Sequence, residues 1–320
     1  AQTVLLVIMS SDAANKIHGS EKPPPNKIKI VKPEWLSHES KCAIYSVNIS
    51  PDKTRLATAG ADGTIKIWNY SCISDESSTA HRLLSTITLH NAAVNCVRWS
   101  PRGQYLATCS DDLLVLVLEL GANFSHIPMG QKVENHESWD VFRSYRGHSM
   151  DVMHVAWSPD ADRIASCSLD NYVLIWRIAD TKGPLQRLAH SGMVKGVAWD
   201  PVGKFLAAQV EGEGENAVVV WRLRDWQVEA KTQRALKDAP DPTFFLRLSW
   251  SPDGQYLGAP NAWLRGRYAV ALLKRGGAGA GEWEGEHSFV VRQAAAVACF
   301  APHILRREGG GLELACAVGG

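Results

Sequence analysis

Charge of one sign is missing from this chain. Thirty-four lysines and arginines stand against 33 aspartates and glutamates, a net +1 over 320 residues. So even a balance leaves no long-range field to gather nucleic acid or an anionic membrane surface. Long apolar runs are missing too: Thr3 to Met9 is apolar, but far short of the roughly 20 residues a membrane helix needs, and no basic leader precedes it. No Cys-x-x-Cys occurs, and seven cysteines, an odd number without close pairing, point to a reducing compartment. His-Glu-x-x-His, Gly-x-Ser-x-Gly and Gly-Lys-Ser/Thr are absent, which removes the zincin helix, the hydrolase elbow and the phosphate loop. The Gly-rich stretch from Gly276 to Gly285 therefore cradles no phosphate. Gly212-Glu213-Gly214-Glu215-Asn216-Ala217 matches a dinucleotide-binding expression, but a strand, Val218-Val219-Val220, follows where that motif needs a helix N-terminus. It reads as a turn.

What is present is repetition. Trp-Ser-Pro stands at Trp99-Ser100-Pro101, Trp157-Ser158-Pro159 and Trp250-Ser251-Pro252, with variants at Ser50-Pro51, Trp199-Asp200-Pro201 and Ala301-Pro302. The prolines lie 50, 58, 42, 51 and 50 residues apart, a period of small repeated β units. The third unit is the clearest. Val152 to Trp157 alternates as a strand, Ser158-Pro159-Asp160 turns, Arg163 to Ser168 returns, Leu169-Asp170-Asn171 turns again, and Tyr172 to Trp176 is a third strand.

Four polar positions keep their spacing between units. His148 precedes Ser158 by ten residues, as His90 precedes Ser100 and His190 precedes Asp200. Ser166 lies four before Asp170, like Thr58 before Asp62 and Thr108 before Asp112; Asp170 lies six before Trp176, like Asp62 before Trp68. His, hydroxyl and Asp together invite a catalytic reading. Catalytic sites are not copied into every repeat, whereas folding constraints are, so the expectation is a buried His–Ser/Thr–Asp–Trp network in each unit. The pattern decays at Leu118, which stands where unit two needs its Trp, and at Glu215, where unit four needs its Asp. Unit four keeps His190 and Trp221. Unit five lacks the His, with Tyr268 to Lys274 as its plausible third strand. His148 and His154, six apart, lack a third ligand for a metal. Cys109 and Cys167 fall at equivalent places a whole unit apart and read as small buried hydrophobes. No catalytic, metal or cofactor site emerges, and no enzyme.

These features resemble the WD40 family over roughly residues 36 to 318. The resemblance implies an all-β fold, a β-propeller of four-stranded blades around a central channel. About five and a half of a presumed seven blades are present. Residues 27–320 form the partial propeller and 1–26 a disordered extension; Met9-Ser10-Ser11-Asp12 looks like a natural start. Leu312 to Val318 is expected as the second strand of unit six, and Lys27 to Val31 resembles the strand that completes a last blade. An open or distorted arc with exposed edges follows.

Finer strings are similar to the HIRA/Hir histone chaperone subunits. They are Val94 to Trp99, Asp151 to Trp157, Ala165 to Asn171, His190 to Gly196 leading to Trp199-Asp200-Pro201-Val202-Gly203-Lys204, and Leu246 to Gly254; Lys32-Pro33-Glu34-Trp35 with His38 also fits. That resemblance implies a nuclear scaffold for replication-independent deposition of histones H3–H4, with transcriptional corepression linked to it. It implies a ubinuclein/Hpc2-type subunit as partner and histones reached through the complex. Direct sequence-specific nucleic-acid binding and membrane attachment are not expected. Segments that engage an Asf-type chaperone or mediate self-association lie outside this chain. The alternatives are the WD40 subunit of the replication-coupled chromatin assembly factor and a substrate-receptor propeller of a ubiquitin ligase. The longest insertions, Tyr70 to Arg82 and Gly121 to Ser138, both follow third strands and so share a face; they are candidates for contact or plain spacers. Trp139 and Trp226 are expected on outer fourth strands, as exposed aromatic anchors.

Overall fold

Alternating Val, Ile and Leu between Ser-Pro turns produce strands at nearly every predicted place. The computed structural model describes residues 6–9, 28–31, 33–75, 77–121, 135–212, 216–239, 242–275, 287–300, 305–306, 312–313 and 316–319. Five four-stranded antiparallel sheets follow one another, each built from consecutive strands. Blade one is Ile44–Ile49, Arg55–Gly60, Ile65–Asn69 and Leu83–Ile87. Blade two is Val94–Trp99, Tyr105–Ser110, Leu114–Leu120 and Trp139–Arg146. Blade three is Val152–Trp157, Arg163–Ser168, Tyr172–Arg177 and Gln186–Ala189. Blade four is Met193–Trp199, Phe205–Glu211, Ala217–Arg222 and Val228–Thr232. Blade five is Ser249–Trp250, Tyr256–Leu264, Arg267–Lys274 and His287–Val290.

The Ser-Pro turns join first to second strands. In blade three the amide of Arg163 donates to Ser158 Oγ at 2.9 Å, and Ser158 N donates to the Arg163 carbonyl at 2.9 Å. Three residues into the turn the backbone enters the left-handed region. Gly103, Gly203 and Gly254 take it at φ of 73°, 75° and 68°, but Lys53 and Ala161 adopt 57° and 62° with a side chain attached.

The core lies between the blades. Apolar residues of each pair of successive sheets interdigitate, Ala57, Ile65 and Ile67 with Val97, Leu106 and Leu118, for example. The Trp that ends the first strand of blades two to five pins its blade to the one before. Indole nitrogens of Trp99, Trp157, Trp199 and Trp250 donate to the carbonyls of Asn48, Arg98, Ala156 and Ala198 at 2.9–3.2 Å. Cys109 and Cys167 are fully buried in these interfaces and are free thiols.

The ends depart from expectation. Leu6–Met9 is a strand, so the segment 1–26 is not wholly unstructured; it pairs with Ile28–Val31 as a separate ribbon rather than leaving that strand to complete a blade. The single strand expected over Leu312 to Val318 is split. Leu312–Glu313 pairs with Leu305–Arg306, and Cys316–Gly319 folds back on Val297–Phe300. Residues 10–26, the Gly276 to Gly285 stretch and the Ala301-Pro302 turn lie outside the described residues.

Across its axis the arc is braced. The Arg247 guanidinium donates to the carbonyls of Tyr45 in blade one and Asn95 in blade two, both at 2.6 Å. Phe245 lies under that guanidinium at 4.0 Å, and Tyr45 packs on Phe244 and Phe245. A cation and three rings that water cannot cover on both sides draw the inner strands together.

Candidate functional site

On one face of the arc the repeated polar residues meet. In blade three His148 Nδ1 donates to Asp170 at 2.9 Å, Ser166 Oγ donates to His148 Nε2 at 2.8 Å, and Trp176 Nε1 donates to Ser166 Oγ at 2.8 Å. The directions follow because a carboxylate only accepts and an indole nitrogen only donates. The same carboxylate also accepts the amides of Ser149 and Tyr172, tying the entry loop to the hairpin turn. Blade two joins His90, Asp112 and Thr108 at 2.8 Å, with apolar Leu118 in the Trp place. Ser166, Thr108 and Thr58 are 0% exposed. A nucleophile needs access to substrate, and these hydroxyls have none. His154 serves elsewhere, bonding the Val197 carbonyl at 2.9 Å and Arg98 at 3.0 Å, so it does not pair with His148.

Blade one carries the full set through a residue that spacing missed. His38 bonds Asp62 at 2.9 Å and Thr58 at 2.9 Å, and Trp68 Nε1 donates to Thr58 at 2.8 Å. His38 stands 24 residues before its Asp, whereas His90 and His148 stand 22 before theirs, because blade one has two extra residues ahead of its first strand. Counting back from Asp62 rather than from Ser50, with a short insertion allowed, finds it.

Blade four does not assemble the network expected of His190 and Trp221. Ala208, opposite Val197, occupies the place that Ser166 holds opposite Val155. Counted from Ala208 the carboxylate place is Gly212; counted back from Trp221 it is Glu215, outside the described residues. The two rings meet edge to face at 5.7 Å, and His190 Nε2 and Trp221 Nε1 are buried with no hydrogen-bond partner among the described residues. Burial, with Lys231 adding, pushes the His190 imidazole down to about 4.

The two proposed aromatic anchors are differently placed. Trp139 begins the outer strand of blade two, but it is only 8% exposed, edge-on to Trp99 with its indole nitrogen on Glu137. Trp226 is not on a strand at all. It sits half-buried in the turn between third and fourth strands of blade four, at φ 55°, packed on the core between blades three and four.

The opposite face holds the long insertions. Ser71–Ser74 makes one helical turn that buries Cys72 and Ile73, so this segment is not a bare spacer. The described end of the blade-two insertion reaches back onto blade one. Asn135 exchanges hydrogen bonds with Thr86 at 2.9 and 3.3 Å, and the amides of His136 and Glu137 donate to the Leu84 carbonyl. Glu137 accepts a two-pronged bond from Arg55, with contacts of 2.7–3.0 Å, and His136 stacks on His81 at 3.8 Å. The two insertions thus share one face and touch, forming a fixed platform across blades one and two.

Consecutive four-stranded blades, indole pins and His–hydroxyl–Asp sets define a WD40-type β-propeller, present here as an incomplete ring. The chain belongs to the CAF1B/HIR1 β-propeller domain family, whose model matches residues 28–270. It is 37% identical over 293 residues to Protein HIR1 of Cryptococcus neoformans, covering 88% of this chain and 32% of that protein. Protein hir1 of Schizosaccharomyces pombe is 32% identical over 312 residues, with coverage of 92% and 32%. HIR1 of Kluyveromyces lactis is 33% identical over 299 residues, with 88% and 34%. The chain therefore spans about a third of the length of these relatives. A chain from the crystal structure of the mitotic checkpoint complex shares the fold at TM-score 0.65 and 19% identity, over 91% of this chain and 78% of that one.

Proposed function

We propose that this propeller is the binding platform of a HIRA-type histone chaperone subunit, acting in the nucleus in replication-independent deposition of H3–H4 and in corepression. The observation that carries this reading is the correspondence with HIR1 proteins along nearly nine-tenths of the chain. The buried sites support binding rather than catalysis, because their His, hydroxyl and Asp groups already hold one another. The partner is a ubinuclein/Hpc2-type subunit, with histones reached through the complex. The surface proposed for contact is the platform of blades one and two, where His81, His136 and the Arg55–Glu137 pair hold two insertions in one place. Rigid loops on a rigid scaffold lose little entropy on binding.

Pull-down of the chain with a ubinuclein-like fragment and H3–H4 tests the reading. Recovery of the ubinuclein fragment supports it. Recovery of H3–H4 without that fragment favours the chromatin-assembly-factor alternative, and recovery of a cullin adaptor instead favours a ligase receptor. Neither outcome is compatible with the HIRA-type assignment.

A further inference from the structure

The seam between blades one and two shows what this fold lays over such a seam. Arg55 opens the second strand of blade one, and Glu137 reaches across to it from the insertion of blade two, with contacts of 2.7–3.0 Å. Residues 135–137 lie along the outer strand of blade one and give two amides to the Leu84 carbonyl.

The seam between blades three and four has the same frame without that cover. Arg163 opens the second strand of blade three as Arg55 does in blade one; each amide donates to its turn serine, Ser158 or Ser50, at 2.9 Å. Blade four, however, passes from third to fourth strand through the short turn 223–227, where blade two has residues 121–138. Val141 and Val228 both stand opposite the Trp place of their third strands. Four residues before them are Glu137 in blade two and Arg224 in blade four. A carboxylate has become a cation. Leu185, in the register place of Leu84, is left 42% exposed.

A groove of about 710 Å³ opens at this seam. Trp199, Phe205 and Leu223 are its apolar walls, and Arg163, Lys204, Arg222 and Arg224 line it with only Asp160 and Glu229 against them. Those two carboxylates are already engaged. Asp160 accepts the Ser158 hydroxyl and the Asp162 amide, and Glu229 holds Arg222 at 3.3 Å. The cations are less well answered. Arg163 has Asp162 alone, at 3.7 Å and shared with Arg177, and Lys204 has no ion pair among the described residues. A continuous phosphate chain would meet Asp160 and Glu229, whereas a peptide can set its acids to either side of them.

We propose that this seam is a docking groove for an extended acidic segment of a partner protein, laid over blades three and four as residues 135–137 lie over blade one. A carboxylate of the segment engages Arg163 and Lys204, as Glu137 holds Arg55, and its apolar side chains cover Leu223 and Leu185. The site stands on the contrast between two seams of one molecule and is independent of the chaperone reading.

The test is fluorescence anisotropy of the full chain with a short fluorescein-labelled peptide that alternates glutamate and leucine. Saturable binding is expected, weakened roughly tenfold in Lys204→Glu and unchanged in Arg146→Glu, which makes the same charge reversal at the end of the outer strand of blade two. Lysine in place of glutamate in the peptide is expected to abolish binding, and serine in place of leucine to weaken it. Lys204→Gln serves if the glutamate variant does not fold, and is expected to weaken binding about threefold. An equal loss in Arg146→Glu means attraction to net charge alone, and overturns the proposal. So does binding of the lysine peptide. Displacement of the acidic peptide by oligothymidine at equal concentration assigns the groove to nucleic acid instead, and overturns it as well.

Discussion

Arg55 and Glu137 face each other fork to fork, 82 residues apart, and join the second strand of blade one to the insertion of blade two. The pair is half-sheltered, with side chains 26% and 14% exposed, so it keeps more of its attraction than an open surface bridge. It converts the end of a long insertion into a fixed part of the neighbouring blade.

A double-mutant cycle on Arg55→Ala and Glu137→Gln is expected to give a coupling of about 1 kcal/mol. Hydrogen exchange at the His136 and Glu137 amides should rise in either single variant, since both donate to Leu84. Additive effects with unchanged exchange would show that the backbone contacts alone hold the segment.

Asp170→Ala removes the acceptor shared by His148, Ser149 and Tyr172. A loss of about 1–3 kcal/mol is expected in denaturant unfolding, from the orphaned imidazole and amides. Unchanged stability would contradict the network as a structural element.

Gly196 sits where a neighbouring chain segment passes close. A Cβ added there collides with the Leu246 carbonyl oxygen, backbone that cannot rotate away. Gly196→Ala is expected to destabilise by about 1–3 kcal/mol or more. Ala161→Gly is the opposite case. It relieves a left-handed residue in a turn where three other blades already use glycine, and a gain of about 0.5–1 kcal/mol is expected from thermal unfolding.

Stability should fall in acid in two stages. His190 is held down to about 4, against roughly 6.5 in an unfolded chain. Between those values the unfolded chain takes up a proton that the native one refuses, so stability declines as pH drops through that window. Burial lowers His38 and His154 in the same direction. For Asp112 burial is the largest influence and works upward, but the His90 hydrogen bond and charge and the Asn91 and Leu114 amides together outweigh it and hold the carboxyl at about 2. Its contribution is whole above the ordinary carboxylate range and is lost as pH falls toward 2. Urea midpoints across pH should show a flatter slope between 6.5 and 4 in His190→Phe and a flatter one below 4 in Asp112→Asn. Slopes equal to those of the unsubstituted chain would exclude these groups.

Much of the fold was legible because its signals are local. Ser-Pro turns, alternating strands and the terminal Trp each depend on a few adjacent residues, and blades two and three follow their spacing closely. His38 was hidden by two residues of extra length. Blade four keeps His190 at its repeat distance, but Trp221 stands 21 residues after Asp200 where Trp176 stands 18 after Ser158, and the lost hydroxyl at Ala208 shows only when strand register is known. Trp139 reads as exposed on an outer strand until Glu137 and Trp99 are placed around it. Arg247 was out of reach for another reason: its acceptors, Tyr45 and Asn95, are 202 and 152 residues away, and carbonyls leave no trace in side-chain pattern.

Arg247 has a consequence for traffic along the axis. Burial lowers its guanidinium to about 10, which still leaves it charged in any physiological medium, and both terminal nitrogens are committed to backbone. The middle of the arc is thus a locked crossbar instead of a conduit. A peptide threading that route has to break two charge-assisted bonds that tie three blades together.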